Sequence, residues 1–211
     1  MTSPARPESP ISDAAAQWPV VSSAEIYHGS IIDVRSDAIR SPDGNTAVRE
    51  VVRHPGAVGV VALDDANRVL MIRQYRHAVG RLLWELPAGL RDVPGEPLLH
   101  TARRELLEET GYQAARWQVL VDYFSSPGII TERLRVFLAR GLDLVPEADR
   151  HFVPVNEEAH LLIDWVPLEH AVSLIFAGEL HNGVAVAGIL AARVASGDGF
   201  GGLRDTAVPE A

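Results

Sequence analysis

Residues 89–112 read GLRDVPGEPLLHTARRELLEETGY. Five side chains here are acidic: Asp92, Glu96, Glu105, Glu108 and Glu109. The spacing predicts a helix over residues 97–110. Pro97 suits a first helical position, where its missing N–H costs nothing, and Gly111 suits the position just past the end. Glu96 stands favourably at the positive N-terminus. At 100° per residue Leu98, Leu99, Ala102 and Leu106 form one apolar stripe. Glu109 falls within that stripe, Glu105 lies on its edge, and Glu108 is further round. Like charges one turn apart cost a helix only about 0.2–0.5 kcal/mol, but burying an unpartnered carboxylate costs far more. A half-buried row of carboxylates therefore calls for a cation. Arg104 leaves the helix on nearly the opposite side. A hard divalent ion with oxygen ligands is the better candidate, and Mg²⁺ (or Mn²⁺) suits carboxylates combined with phosphate oxygens and water. The bland alternative is a solvated acidic face.

Working outward, residues 92–95 (Asp-Val-Pro-Gly) have turn chemistry. Strand-like runs are expected at residues 25–39, 47–53, 57–63, 69–74, 117–124, 134–139 and 160–166. Helical patterns are expected at 168–177 and 182–195. Mixed strands with few helices indicate an α+β layered fold. Residues 1–18, rich in Pro, Ser and Ala, read as a disordered lead-in, residues 19–195 as one domain, and the Gly-rich residues 196–211 as a flexible tail.

The chain has 211 residues, 47% of them hydrophobic, enough for one domain with a real core. It has no cysteine, which excludes disulfides and thiolate metal sites. The formal charge of −9 argues against nucleic acid or a membrane surface as partner. With no apolar run near ~20 residues and no signal-peptide pattern, the cytoplasm is the expected compartment. The histidines show no zinc spacing, and neither a nucleophile elbow nor a P-loop is present. Trp84 and Trp117 are expected in the core.

The stretch resembles the box of the Nudix hydrolases, G-x(5)-E-x(7)-R-E-U-x-E-E-x-G-U, where U is bulky and apolar. Arg104, Glu105, Glu108, Glu109 and Gly111 match its second half; by chance this has odds on the order of one in ten thousand. Six residues rather than five separate Gly89 from Glu96, the extra one falling in the 92–95 turn, and Tyr112 takes the last U position. The flanking Arg49-Glu50, His54-Pro55-Gly56-Ala57, Gln74-Tyr75-Arg76, Trp84-Glu85-Leu86-Pro87-Ala88-Gly89 and Pro127 are similar to the bacterial ADP-ribose pyrophosphatase branch.

The resemblance implies an α/β/α sandwich with a mixed sheet and an N-terminal β-rich segment. It implies metal ligands at Glu105, Glu109 and Glu108, at the backbone carbonyl of Ala88, and in an outer position at Glu96. Arg104 would orient the glutamates. The base that activates water would be Glu157, or else Glu158, on a loop before a late strand. Substrate contacts would come from Arg49, Glu50, Arg76, Leu90, Ser126 and Glu132, with Gly29 and Ser30 reaching a neighbour's site in a homodimer that exchanges N-terminal strands. The implied activity is hydrolysis of ADP-ribose to AMP and ribose 5-phosphate. The alternatives are the same chemistry on another ADP-sugar or NADH, and a non-catalytic ADP-ribose sensor.

Overall fold

The computed structural model describes residues 11–150 and 161–210. In chain order the elements are β1 (Val20–His28), β2 (Asp33–Arg40), β3 (Thr46–Arg53), β4 (Ala57–Ala62), β5 (Arg68–Arg76), β6 (Arg81–Glu85), β7 (Ala88–Leu90), α1 (Leu98–Thr110), β8 (Tyr112–Phe124), β9 (Arg133–Leu144), β10 (Leu162–Pro167), α2 (Leu168–Phe176) and α3 (Gly183–Ala195).

Strands β7-β4-β9-β8 form a mixed sheet, parallel between β4 and β9 and antiparallel elsewhere. Every residue of β4 is buried, as an apolar strand covered on both faces must be. Its side chains alternate. Val58, Val60 and Ala62 join Ala102 and Leu106 of α1 in one core cluster, whereas Val61 joins Ala185 and Ile189 of α3 in another. This is the expected helix–sheet–helix layering. Gly188 makes the α3 approach possible: a β-carbon there would meet Leu86 at 2.7 Å and Val61 at 3.0 Å. Strands β10-β5-β6 form a second sheet. Trp84 and Trp117 are partly buried and pack against the two clusters.

The third sheet, β1-β2-β3, joins the segment before β9 through Val52, which bonds to Ile129 and Thr131, and all nine residues of β1 are exposed. The expected single run over residues 25–39 is two strands here, because the chain reverses at Gly29, whose N–H donates to the Ile32 carbonyl. Strands β6 and β7 were not expected; both are short and flank Pro87, and neither shows a clean alternation.

Where a flexible tail is expected, residues 196–210 are tied to the body. The Arg204 carbonyl accepts from Val119 N–H at 3.0 Å. The Arg204 guanidinium donates to Asp122 at 2.9 Å, and the Val208 carbonyl accepts from Arg135 at 2.8 Å. The partners come from strands far away in sequence, so glycine content alone could not reveal them.

Candidate active site

Helix α1 begins at Leu98, with Pro97 in extended conformation (ψ 138°) as its cap, one position earlier than a first helical residue. Its C-terminus closes as expected: Gly111 takes a left-handed conformation (φ 75°), and its N–H donates to the Leu107 carbonyl. Before the helix, Glu96 N–H donates to the Val93 carbonyl, and Gly95 sits at φ 77°. The additional residue of this loop is thereby taken up in a tight turn. Glu96 then accepts a hydrogen bond from the buried Thr101 hydroxyl at 2.9 Å.

Ala102 and Leu106 are fully buried; burial of a leucine contributes roughly 1.5–3 kcal/mol. This anchors the phase of the helix and turns Glu105 and Glu109 toward β7. Glu109 accepts a hydrogen bond from Ala88 N–H at 2.9 Å. Glu105 lies over Gly89, where any β-carbon would overlap its carboxyl group. Its side chain is 13% exposed. Burial pushes the Glu105 carboxyl up to about 7, against the pull of Arg104, and the charges of Glu108 and Asp92 add to the rise.

Arg104 corrects the helical-wheel expectation. Its guanidinium lies 2.7 Å from Glu105, 3.0 Å from Glu108, 3.6 Å from Glu96 and 3.9 Å from Asp92. A wheel records where Cα–Cβ points, but an arginine stem is long enough to curl back along its helix. Burial alone would lower the guanidinium, but Glu105, Glu108 and Glu96 more than offset this and raise it.

The donor set fits a divalent cation. Glu105 is a half-buried carboxylate that one arginine does not hold in the ordinary range, its carboxyl fills the space that Gly89 leaves, and the ligands offered are all oxygen. Among the described residues, no three acidic or histidine side chains already converge as a finished ligand cage. Arg104 shares Glu105 and Glu108, as a counter-ion does when it holds carboxylates for later use.

Beside β7 opens a cavity of about 510 Å³, lined among others by Ala88, Leu90, Arg76, Glu132 and Asn182. Arg76 sits at its wall, paired to the 2%-exposed Glu85 with both carboxylate oxygens within 3.1 Å. Of the expected substrate residues, Leu90, Arg76 and Glu132 therefore meet here. Ser125 lines the cavity rather than Ser126. Ser126 is exposed, and its carbonyl accepts from Ile129 and Ile130 N–H. Arg49 and Glu50 are exposed on β3, and Gly29 and Ser30 lie in the β1–β2 turn; none of the four lines the cavity. Glu157 and Glu158 fall outside the described residues.

Sequence reading missed three contributors. His54 Nδ1 accepts Gly56 N–H at 3.1 Å and stands 3.5 Å from Glu132. Tyr123 faces the same space, its hydroxyl pushed up to about 12 by burial and by Glu132. The third is the N-terminus of α3, capped by the Asn182 side chain accepting from Ala185 N–H at 2.9 Å. Its positive end favours an anion in the cavity. Asn182-Gly183 was a legible helix start; its neighbour in space was not.

Alternation at the strand ends divides this region. Tyr123, Leu134, Ala57 and Leu90 are linked by sheet pairing and line the cavity. Their chain neighbours Phe124, Arg133 and Arg91 line a separate hollow.

Residues 53–186 match the NUDIX domain family, and residues 18–52 match the nucleoside diphosphate sugar hydrolase N-terminal domain. The chain is 47% identical over 178 residues to an ADP-ribose pyrophosphatase of Mycobacterium tuberculosis, covering 84% of each protein. It is 34% identical over 162 residues to an ADP-ribose pyrophosphatase of Bacillus subtilis, covering 77% of this chain and 85% of that protein. Its fold matches a crystal structure titled as an ADP compounds hydrolase, with a TM-score of 0.70 and 22% identity over 89% of this chain and 99% of that one.

Proposed function

Because the chain belongs to the Nudix family, we propose that it hydrolyses the diphosphate bond of ADP-ribose, yielding AMP and ribose 5-phosphate, with a divalent cation as cofactor. The observation that carries this reading is the placement of Glu105 and Glu109 against Ala88 and Gly89, beside a cavity with an arginine in its wall and a helix N-terminus at its edge. Two relatives, at 47% and 34% identity over most of the chain, bear the name of this activity.

Glu105, Glu109, Glu108 and the Ala88 carbonyl would hold the cation, with Glu96 outside them. When bound, the ion supplies positive charge to the diphosphate oxygens. Arg104 would keep the carboxylates in register and balance part of their charge. Arg76, fixed in direction by Glu85, presents its guanidinium to the substrate. The α3 N-terminus offers a fixed dipole to a phosphate. Glu157, or else Glu158, takes a proton from the attacking water. As the new O–P bond forms, the anhydride P–O bond breaks and one phosphate departs with its electron pair.

A broader reading, the same cleavage on another nucleoside diphosphate derivative, draws support from the match of residues 18–52 to the nucleoside diphosphate sugar hydrolase domain. Turnover on a panel of ADP-ribose, an ADP-hexose and NADH separates the two. ADP-ribose is expected to give the highest kcat/KM; a higher value for another member would overturn the narrower reading.

The reading extends to a homodimer that shares N-terminal strands. Ile26, Tyr27 and Val48 are exposed on the outer sheet, a cost that a partner's surface would remove. Arg49, Glu50, Gly29 and Ser30 would then serve the partner's cavity. Sedimentation at micromolar concentration is expected to give twice the chain mass, and a monomer would refute this. No helix among the described residues is long and apolar enough to cross a membrane.

A further inference from the structure

Behind the cavity lies a separate hollow. It has a volume of about 640 Å³, and its wall includes Arg91, Arg133, Phe124, Pro127 and Ile130. The arginines are built in. Arg91 N–H donates to the Gly56 carbonyl at 3.1 Å. A β-carbon on Gly56 (φ 90°) would meet the Arg133 carbonyl at 2.8 Å and the Arg91 stem at 3.2 Å. Only glycine allows both chains to come this close. Arg133 lies with its guanidinium carbon 4.9 Å from the centroid of the Phe124 ring, a cation–π contact in the wall of the hollow.

Among the described residues one carboxylate reaches this space: Glu210, in the C-terminal strap formed by residues 196–210 and pinned by Asp122 and Arg135. Its Oε2 lies 3.0 Å from Arg91 and 3.9 Å from Arg133. Its Oε1 is buried with no hydrogen-bond partner among the described residues. Two guanidiniums present ten N–H donors; among the described residues a single carboxylate oxygen of Glu210 accepts from Arg91 and stands as an ion-pair partner to Arg133. The occupant is under-matched to its site. A phosphate, with three terminal oxygens in tetrahedral array, would engage both forks.

We propose that Arg91 and Arg133 form a second anion site, for a phosphate dianion, and that Glu210 is its tethered occupant. The strap holds the carboxylate at high effective concentration, so a free anion meets a competitor whenever Glu210 is seated. The site stands on residues distinct from the glutamate helix, and it holds or fails independently of the reaction assigned there.

The test is calorimetric titration of the full metal-free chain with inorganic phosphate, for wild type, Glu210→Gln and Glu210→Gln/Arg133→Gln. Glu210→Gln is expected to bind about tenfold more tightly than wild type, as when a competitor seated nine-tenths of the time is removed. Arg133→Gln is expected to abolish that gain. A chain ending at Val208 provides a second way of emptying the site and is expected to repeat the gain. Equal affinity in wild type and Glu210→Gln, or a gain that survives Arg133→Gln, overturns the proposal and leaves Glu210 as a tie for the strap. Phenyl phosphate forms a parallel arm. Binding tighter than inorganic phosphate assigns the site to phosphate esters that use Phe124; equal or weaker binding assigns it to free phosphate.

Discussion

Glu105 rests on the one residue of β7 that has no side chain, Gly89, so the carboxylate and the strand backbone share a space that any β-carbon would fill. Gly89 does not adopt a positive φ, so its role is room rather than conformational freedom. Gly89→Ala is therefore expected to keep the fold, with Tm close to that of wild type, while displacing Glu105. Metal affinity measured by calorimetry should fall at least tenfold. Unchanged affinity would remove Glu105 from the ligand set.

The raised Glu105 carboxyl links stability to pH in the metal-free protein. Its folded value, about 7, exceeds the ordinary 4.5. The folded state thus binds the proton more tightly than the unfolded state does between those values. The resulting stabilisation is fully present below 4.5 and is lost as pH rises through about 7. Glu105→Gln removes the titration. The difference in Tm between wild type and this variant is expected to change across that window and flatten above it. A pH-independent difference would refute the burial argument.

Arg104 joins four acidic side chains, so its loss acts on the cluster as a unit. Arg104→Gln is expected to lower metal affinity or activity by roughly 10–100-fold, as loss of an orienting group does. Arg104→Lys supplies charge without the planar fork and should restore only part of it. Full activity in Arg104→Gln would make the arginine a surface charge.

For the base, Glu157→Gln is expected to lower kcat by about 10²–10⁴-fold with little change in KM. Glu158→Gln should leave kcat near wild type. The reverse pattern would transfer the role to Glu158, and two active variants would exclude both.

How much of this could be read beforehand varies by residue. Helix α1 was legible because its signals are local: Gly111, the apolar phase of Ala102 and Leu106, and the inward turn of Glu109. Arg104 was misplaced because side-chain reach, not backbone phase, decides where a guanidinium ends. The β1–β2 reversal was missed because its flanks are both strand-like and Gly29-Ser30 interrupts them for only four residues. His54, Tyr123 and the start of α3 are distant in sequence and meet only through sheet pairing and helix packing, which no local pattern encodes. The C-terminal strap is the extreme case, since its anchors are arginines and carboxylates of β8 and β9.

The alternation at the ends of β7, β8 and β9 also constrains how such a chain can change over time. Tyr123 faces one compartment and Phe124 the other, and the same holds for Leu134 and Arg133. A single-residue insertion inside either strand, unless taken up in an irregularity like that of β8 between Val119 and Val121, would exchange that strand's contributions to the two linings. The connecting segment 125–132 is under no such parity rule. Lineages sharing this fold are therefore expected to vary in length between those strands and to keep length within them.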